Sequence, residues 1–220
     1  MFRLLVDALF RSLCESRILK EASGHSYQVR AGVIDDIRPG LARWVTPHPE
    51  WKPEEDYLDE SYRDVASVLH VAPDKLVLVD PLVPDSLWPE LDARIEAAAK
   101  PVVVLTTIHW HARSRDEVAN RYDARLGGEL QGVRVFDAGR QDEVALWLEG
   151  ARAVVLADAV VGDQQGGLRL SPWYKFEAER ARTRLALLPL LDLPIEIVLP
   201  AHGNVVLEGG SEALEKALEA

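Results

Sequence analysis

Residues 102–111 read Val-Val-Val-Leu-Thr-Thr-Ile-His-Trp-His. A β-branched apolar run with no alternation predicts a strand buried on both faces, from Val102 to Ile108. It runs directly into two histidines. Three other segments share this build: Lys75–Val79 runs into Asp80-Pro81, Ala153–Leu156 into Ala157-Asp158, and Ile195–Leu199 into Pro200-Ala201-His202-Gly203. In layered α/β folds the ends of buried strands are where polar groups converge on a cleft. In an extended segment, residues i and i+2 point to the same side, so His109 and His111 are expected to reach one ion together. Taken singly, His202 reads as a hydrogen-bonded structural histidine, and Asp158 and Asp80 as strand-end or turn residues. Four such endings in one chain carry more weight than any one of them.

Around these strands the pattern alternates. Strands are expected at 65–71, joined to 75–79 by a turn at Ala72-Pro73-Asp74, and at 133–136. Helices are expected at 85–99, capped by Asp85 or Ser86, at 114–126, at 176–191 and at 211–220. Ser114 and Glu117 have capping-box spacing. Residues 27–45 read as short strands broken by Pro39-Gly40. The proline-rich stretch 46–59 reads as a loop, whose neighbouring aromatics Trp44, Trp51 and Tyr57 either lie over a cleft or pack beneath it. Residues 2–20 form an amphipathic pattern, read as a helix that packs on the body or on a partner subunit of a homo-oligomer, with a membrane-surface helix as the minor alternative because its basic content is modest. The domain reading is an N-terminal helix over 1–24 and a single α/β domain over 25–220.

The chain has 220 residues, a net charge of −11, 48% hydrophobic and 28% charged residues, which is the composition of a globular domain. So negative a charge argues against nucleic acid as a partner, because phosphate-backbone binding needs a basic face. The apolar runs are far shorter than a bilayer span. No convincing signal peptide opens the chain, and the lone Cys14 cannot form an internal disulfide, which fits a cytoplasmic protein.

The order of these elements resembles the metallo-β-lactamase superfamily over roughly residues 27–215. Val-Leu-Val-Asp-Pro at 77–81 looks like the strand before the first metal motif. Thr-Thr-Ile-His-Trp-His at 106–111 looks like the opening of the metal-binding loop. Leu-Ala-Asp at 156–158 looks like the strand carrying a metal-bridging aspartate, and Leu-Pro-Ala-His-Gly at 199–203 is similar to the final histidine motif. The resemblance implies a four-layer αβ/βα sandwich, and a metal set drawn from His109, His111, Asp158 and His202.

The chain also departs from that pattern. Where the superfamily continues His-x-His-x-Asp-His, this sequence has Arg113 and Ser114. Where a further histidine is expected between 117 and 158, it has Asp137-Ala138-Gly139-Arg140. Arginine stays protonated, so Arg113 and Arg140 would put positive charge where a second cation would sit. The expectation is a hydrolase-like protein with at most one zinc ion, acting on a small-molecule ester, thioester, lactone or phosphoester through a metal-activated water. Asp80 or Asp158 would orient that water or act as base. Two alternatives stand beside it. One is a metal-free, catalytically silent member of the fold in which Arg113 and Arg140 bind an anionic small molecule, or which binds a protein partner. The other is a metal-free enzyme with a histidine as general base.

Overall fold

A computed structural model describes residues 32–48, 50–52, 63–163 and 165–220. The expected N-terminal helix, Cys14 and Tyr57 lie outside the described residues. The first sheet is built from β1 (Asp35–Arg38), β2 (Leu41–Pro47), β3 (Asp64–Val71), β4 (Leu76–Val79), β5 (Val102–Leu105) and β6 (Arg125–Leu126), side by side in that order. Helices α1 (Trp88–Ala98) and α2 (Arg115–Tyr122) are its crossovers, and β4, β5 and β6 run parallel. The second sheet uses β7 (Val133–Asp137), β8 (Val144–Leu148), β9 (Ala153–Leu156) and β12 (Ile197–Pro200) in the order β12-β9-β8-β7, with β12 parallel to β9. A hairpin of β10 (Val160–Gly162) and β11 (Leu168–Leu170), then α3 (Glu177–Leu187), connect β9 to β12, and α4 (Gly210–Glu219) follows. Each sheet is therefore continuous in the sequence.

Alternation along these strands produces four layers. Val77, Val79, Val103 and Leu105 of the first sheet meet Leu146, Leu148, Val155, Ile197 and Leu199 of the second. The intervening residues point outward: Leu76, Leu78, Val102 and Val104 pack on Leu87, Trp88 and Leu91 and on Val118 of α2. On the far side, Trp147, Val154, Leu156 and Val198 pack on Leu187 of α3 and on Leu214, Ala217 and Leu218 of α4. A strand with apolar neighbours on both faces has no polar face to show, which is why β4, β5 and β9 read as unbroken apolar runs. Each fully buried Val or Leu contributes about 1.5–3 kcal/mol relative to exposure.

Local expectations fail at several ends. The strand expected to reach Ile108 stops at Leu105, and His109–Ala112 form a 3₁₀ turn. The helix expected over 114–126 ends at Tyr122, because Asp123 takes a left-handed conformation and β6 follows. Ser114 makes no cap; its hydroxyl instead accepts the Val83 amide at 3.0 Å. Neither Asp85 nor Ser86 caps α1, since 85–87 is itself a 3₁₀ turn ahead of the helix. The helix expected over 176–191 passes from α to 3₁₀ at Leu188-Pro189. Trp44 does not cover a cleft: it is fully buried and donates to the Leu82 carbonyl at 2.7 Å. No helix among the described residues is long and apolar enough to cross a membrane.

Candidate metal centre

Parallel pairing puts the carboxyl ends of β4 and β5 on one edge of the first sheet, and those of β9 and β12 on one edge of the second. The two edges meet, stitched by an amide of Ala66 that donates across to the Ala201 carbonyl at 2.8 Å. Asp80, Thr107, His111, Asp158 and His202 all stand at this rim.

Asp80 anchors it from behind. The residue is buried in a left-handed conformation at φ 49°, which Asp tolerates better than most side chains. One carboxylate oxygen accepts the Thr107 amide at 2.8 Å. The other accepts the Thr107 hydroxyl, and His111 Nδ1 donates to it at 3.0 Å. That contact fixes the ring and turns Nε2 of His111 forward. There it lies 3.3 Å from Asp158 Oδ1, while His202 Nε2 approaches the same oxygen at 3.5 Å. The three groups offer one ligand atom each within 4.8 Å of one another.

His109 is not part of this trio. The 3₁₀ turn has three residues per turn, so positions i and i+2 lie about 240° apart rather than on one side. His111 turns inward and is buried; His109 turns outward and is exposed, edge-on to Trp110 with ring centroids 4.5 Å apart. The extended geometry expected of His109 and His111 is corrected on this point. Both oxygens of Asp80 are engaged by Thr107 and His111, so its carboxylate orients the histidine.

The electrostatics are those of a compact charged knot. Burial would lower His111, but Asp158 and Asp80 on either side outweigh it and hold its pKa above the usual histidine value. Burial would raise Asp158, yet contacts from His111 and His202 pull its carboxyl well below the usual carboxylate range. Asp158 Oδ2 accepts Trp110 Nε1–H at 2.9 Å, whereas the buried Oδ1 has no hydrogen bond of good geometry.

Arg113 lies against Asp80, and Arg140 against Trp110 and Glu143. Arg113 has a left-handed φ of 43°, and its Nη1 donates to the carbonyls of Ala66 at 2.7 Å and Asp80 at 3.0 Å. Burial works against its charge, and the fields of Asp80 and Asp158 support it. The Arg140 guanidinium lies 5.4 Å from the rings of both Trp110 and Tyr174, and its Nε lies 3.5 Å from Glu143 Oε2.

Three members of the site were not flagged by any motif. Glu143 is buried, accepts the Ala159 amide at 2.6 Å, and is pushed up to about 7, first by burial and then by the field of Asp158. His48 follows β2, and its pKa is lowered by burial and then by Arg113, with smaller effects from His202 and His111. Trp173, partly exposed, sets its ring edge-on to His202 at 5.2 Å. Nothing in the local sequence around Glu143 or His48 separates them from surface residues.

No protein-family model matches the chain, and no curated protein matches it in sequence. Its fold, however, is shared by solved structures. The metallo-β-lactamase DIM-1 superposes with a TM-score of 0.60 at 13% identity, over 87% of this chain and 98% of that one. A metallo-β-lactamase from Erythrobacter litoralis gives 0.57 at 14% identity, over 91% and 96%. FIM-1 from Pseudomonas aeruginosa, solved in a mono-zinc form, gives 0.53 at 13% identity, over 85% and 94%. The chain is a protein of the metallo-β-lactamase fold, an αβ/βα sandwich, with Asp80, His111, Asp158 and His202 at the rim between the sheets.

Proposed function

We propose that this protein is a hydrolase-like member of its fold that holds a single divalent cation, zinc by its donor set, on His111, Asp158 and His202. The observation that carries the reading is the buried Oδ1 of Asp158, without a good hydrogen bond and facing two imidazole Nε2 atoms. If Nδ1 of His111 carries the proton given to Asp80, Nε2 presents a lone pair towards Asp158. With His202 presenting its Nε2 lone pair likewise, two lone pairs and a carboxylate at this range suit a bound cation in place of a proton on His111. A histidine whose far nitrogen is held by a carboxylate is also the usual support for a metal-binding imidazole. Two nitrogens and one oxygen leave a position for water, and zinc in such a site supplies a nucleophile at neutral pH by acidifying that water.

The chain's own groups then divide the work. Asp80 and Thr107 fix the His111 ring. Trp110 holds the outer oxygen of Asp158. Arg113 supplies a fixed positive charge beside Asp80 and Asp158, which disfavours a second cation and lends the site a counter-charge for an anionic intermediate. A small ester, thioester, lactone or phosphoester suits this chemistry. FIM-1, solved in a mono-zinc form, is a precedent for one ion on this fold.

The test is the metal content of protein purified without added metal, followed by zinc titration calorimetry. Close to one zinc per chain is expected. His111→Ala should weaken binding by at least about 100-fold, whereas His109→Ala should stay within about twofold of wild type. Equal zinc binding by wild type and His111→Ala would sink the reading. The trio would then be read as a metal-free cluster, with the His111 imidazolium shared between Asp80 and Asp158.

A further inference from the structure

Asp158 is held by more than the two histidines. Its Oδ2 accepts Trp110 Nε1–H at 2.9 Å. The ring of Trp110 carries the guanidinium of Arg140, 5.4 Å from its centroid. Arg140 Nε lies 3.5 Å from Glu143 Oε2, and the other oxygen of Glu143 accepts the amide of Ala159 at 2.6 Å. The contacts therefore close on themselves: they leave Asp158 through its side chain and return through the amide of the next residue. A carboxylate on a two-torsion side chain has several rotamers, and only one aims Oδ1 at the histidines.

We propose that Trp110, Arg140 and Glu143 form a closed brace that fixes the rotamer of Asp158, making them positioning residues of the trio. This gives Arg140 a role other than anion capture. Tyr174 also lies against it, itself held by a 2.6 Å contact to Thr183, and Glu143 balances its charge once ionised, above about pH 7. An exposed tryptophan beside a polar centre is otherwise an unfavourable placement; here its N–H is spent inward on Asp158. The proposal rests on the metal reading only for where Oδ1 points. The brace itself is a property of the metal-free chain.

Two variants separate the brace from ordinary packing. Trp110→Phe keeps an aromatic face for Arg140 and removes the N–H. Glu143→Gln keeps the shape and an acceptor for Ala159 and, at about pH 8, where Glu143 is largely ionised, removes the charge that faces Arg140. Cobalt(II) is titrated into metal-free wild type and both variants and followed by visible absorption, alongside thermal unfolding of the same metal-free samples. Both variants should bind cobalt about 10–100-fold more weakly, with shifted absorption bands, while their unfolding midpoints do not fall. The second readout needs no metal. The Trp110 indole N–H, identified by its loss in Trp110→Phe, should exchange slowly with solvent in wild type and faster in Glu143→Gln. Unchanged indole exchange in Glu143→Gln, or cobalt affinity that falls only as far as the unfolding midpoint does, overturns the brace. If wild type takes up no cobalt, the metal reading fails, and indole exchange alone decides the brace.

Discussion

Glu143 keeps its proton to about pH 7, whereas an exposed glutamate loses it near 4.5. Between those values the folded protein holds a proton that the unfolded chain has released. Stability then falls as pH rises through this window and levels off above it. Replacing the carboxyl by an amide removes the titration. Relative to Glu143→Gln, the metal-free wild type should lose on the order of 2–3 kcal/mol between pH 4 and pH 8, measured by urea unfolding. A flat difference would mean that Glu143 titrates as an ordinary surface acid. His111 and Asp158 act at the two ends of the scale. The raised histidine contributes stability that is complete below about 6.5 and lost above it. The lowered aspartate contributes stability that is complete above about 3.8 and lost on acidification. Zinc competes with the proton for His111, so its affinity should decline on acidification, beginning above pH 6.5, as calorimetry over a pH series would record.

At the scale of elements, the loop that carries His202 owes its path to two glycines. A side chain at Gly203, whose φ is 77°, would place Cβ 2.1 Å from the Gly162 carbonyl oxygen, and one at Gly162 would meet the Asn204 carbonyl oxygen at 2.0 Å. The close pass is tied by the Gly162 amide donating to the His202 carbonyl at 2.9 Å. Gly203→Ala should cost at least about 2 kcal/mol in urea unfolding and weaken zinc binding with it, because the strand and the loop must part. A variant with wild-type stability would show that the loop yields freely. The Gly of Pro-Ala-His-Gly was visible in the sequence, as were β4, β5, β9 and β12, because strands packed on both faces leave no polar position to obscure them. The inward turn of His111 was not visible. It depends on where β5 loses its partner: β6 pairs only with Val103 and Val104, and beyond Leu105 the chain is governed by Asp80, 27 residues away from Thr107. The hairpin of β10 and β11 and the strand β8 were also missed, since each is short or flanked by charge that local periodicity cannot interpret. Glu143 and Trp110 joined the site only through contacts that no motif encodes.

For the molecule as a whole, a ligand that binds only the folded state adds stability in proportion to the logarithm of its concentration. Zinc at about 100 times its dissociation constant should add about 2.7 kcal/mol, which for a chain of this length raises the unfolding midpoint by roughly 5–10 °C. Calorimetric scans with zinc and with chelator should show that gap in wild type and its absence in His111→Ala. The trio needs both sheets: His111 follows the fifth strand of the first, while Asp158 and His202 follow strands of the second.

Because each sheet is one continuous stretch of chain, the order of synthesis separates them in time. The first sheet is complete once Leu126 has emerged, but the last strand of its cover, ending at Pro200, arrives roughly 70 residues later. At about 5–20 residues per second that is roughly 4–15 s. Through that interval the apolar face of Val77, Val79, Val103 and Leu105 is at most partly covered, first by nothing and then by β8 and β9 without β12. A newborn chain must shelter that face, against the ribosome, a chaperone or itself, and a pause in translation before Pro200 lengthens its exposure to aggregation.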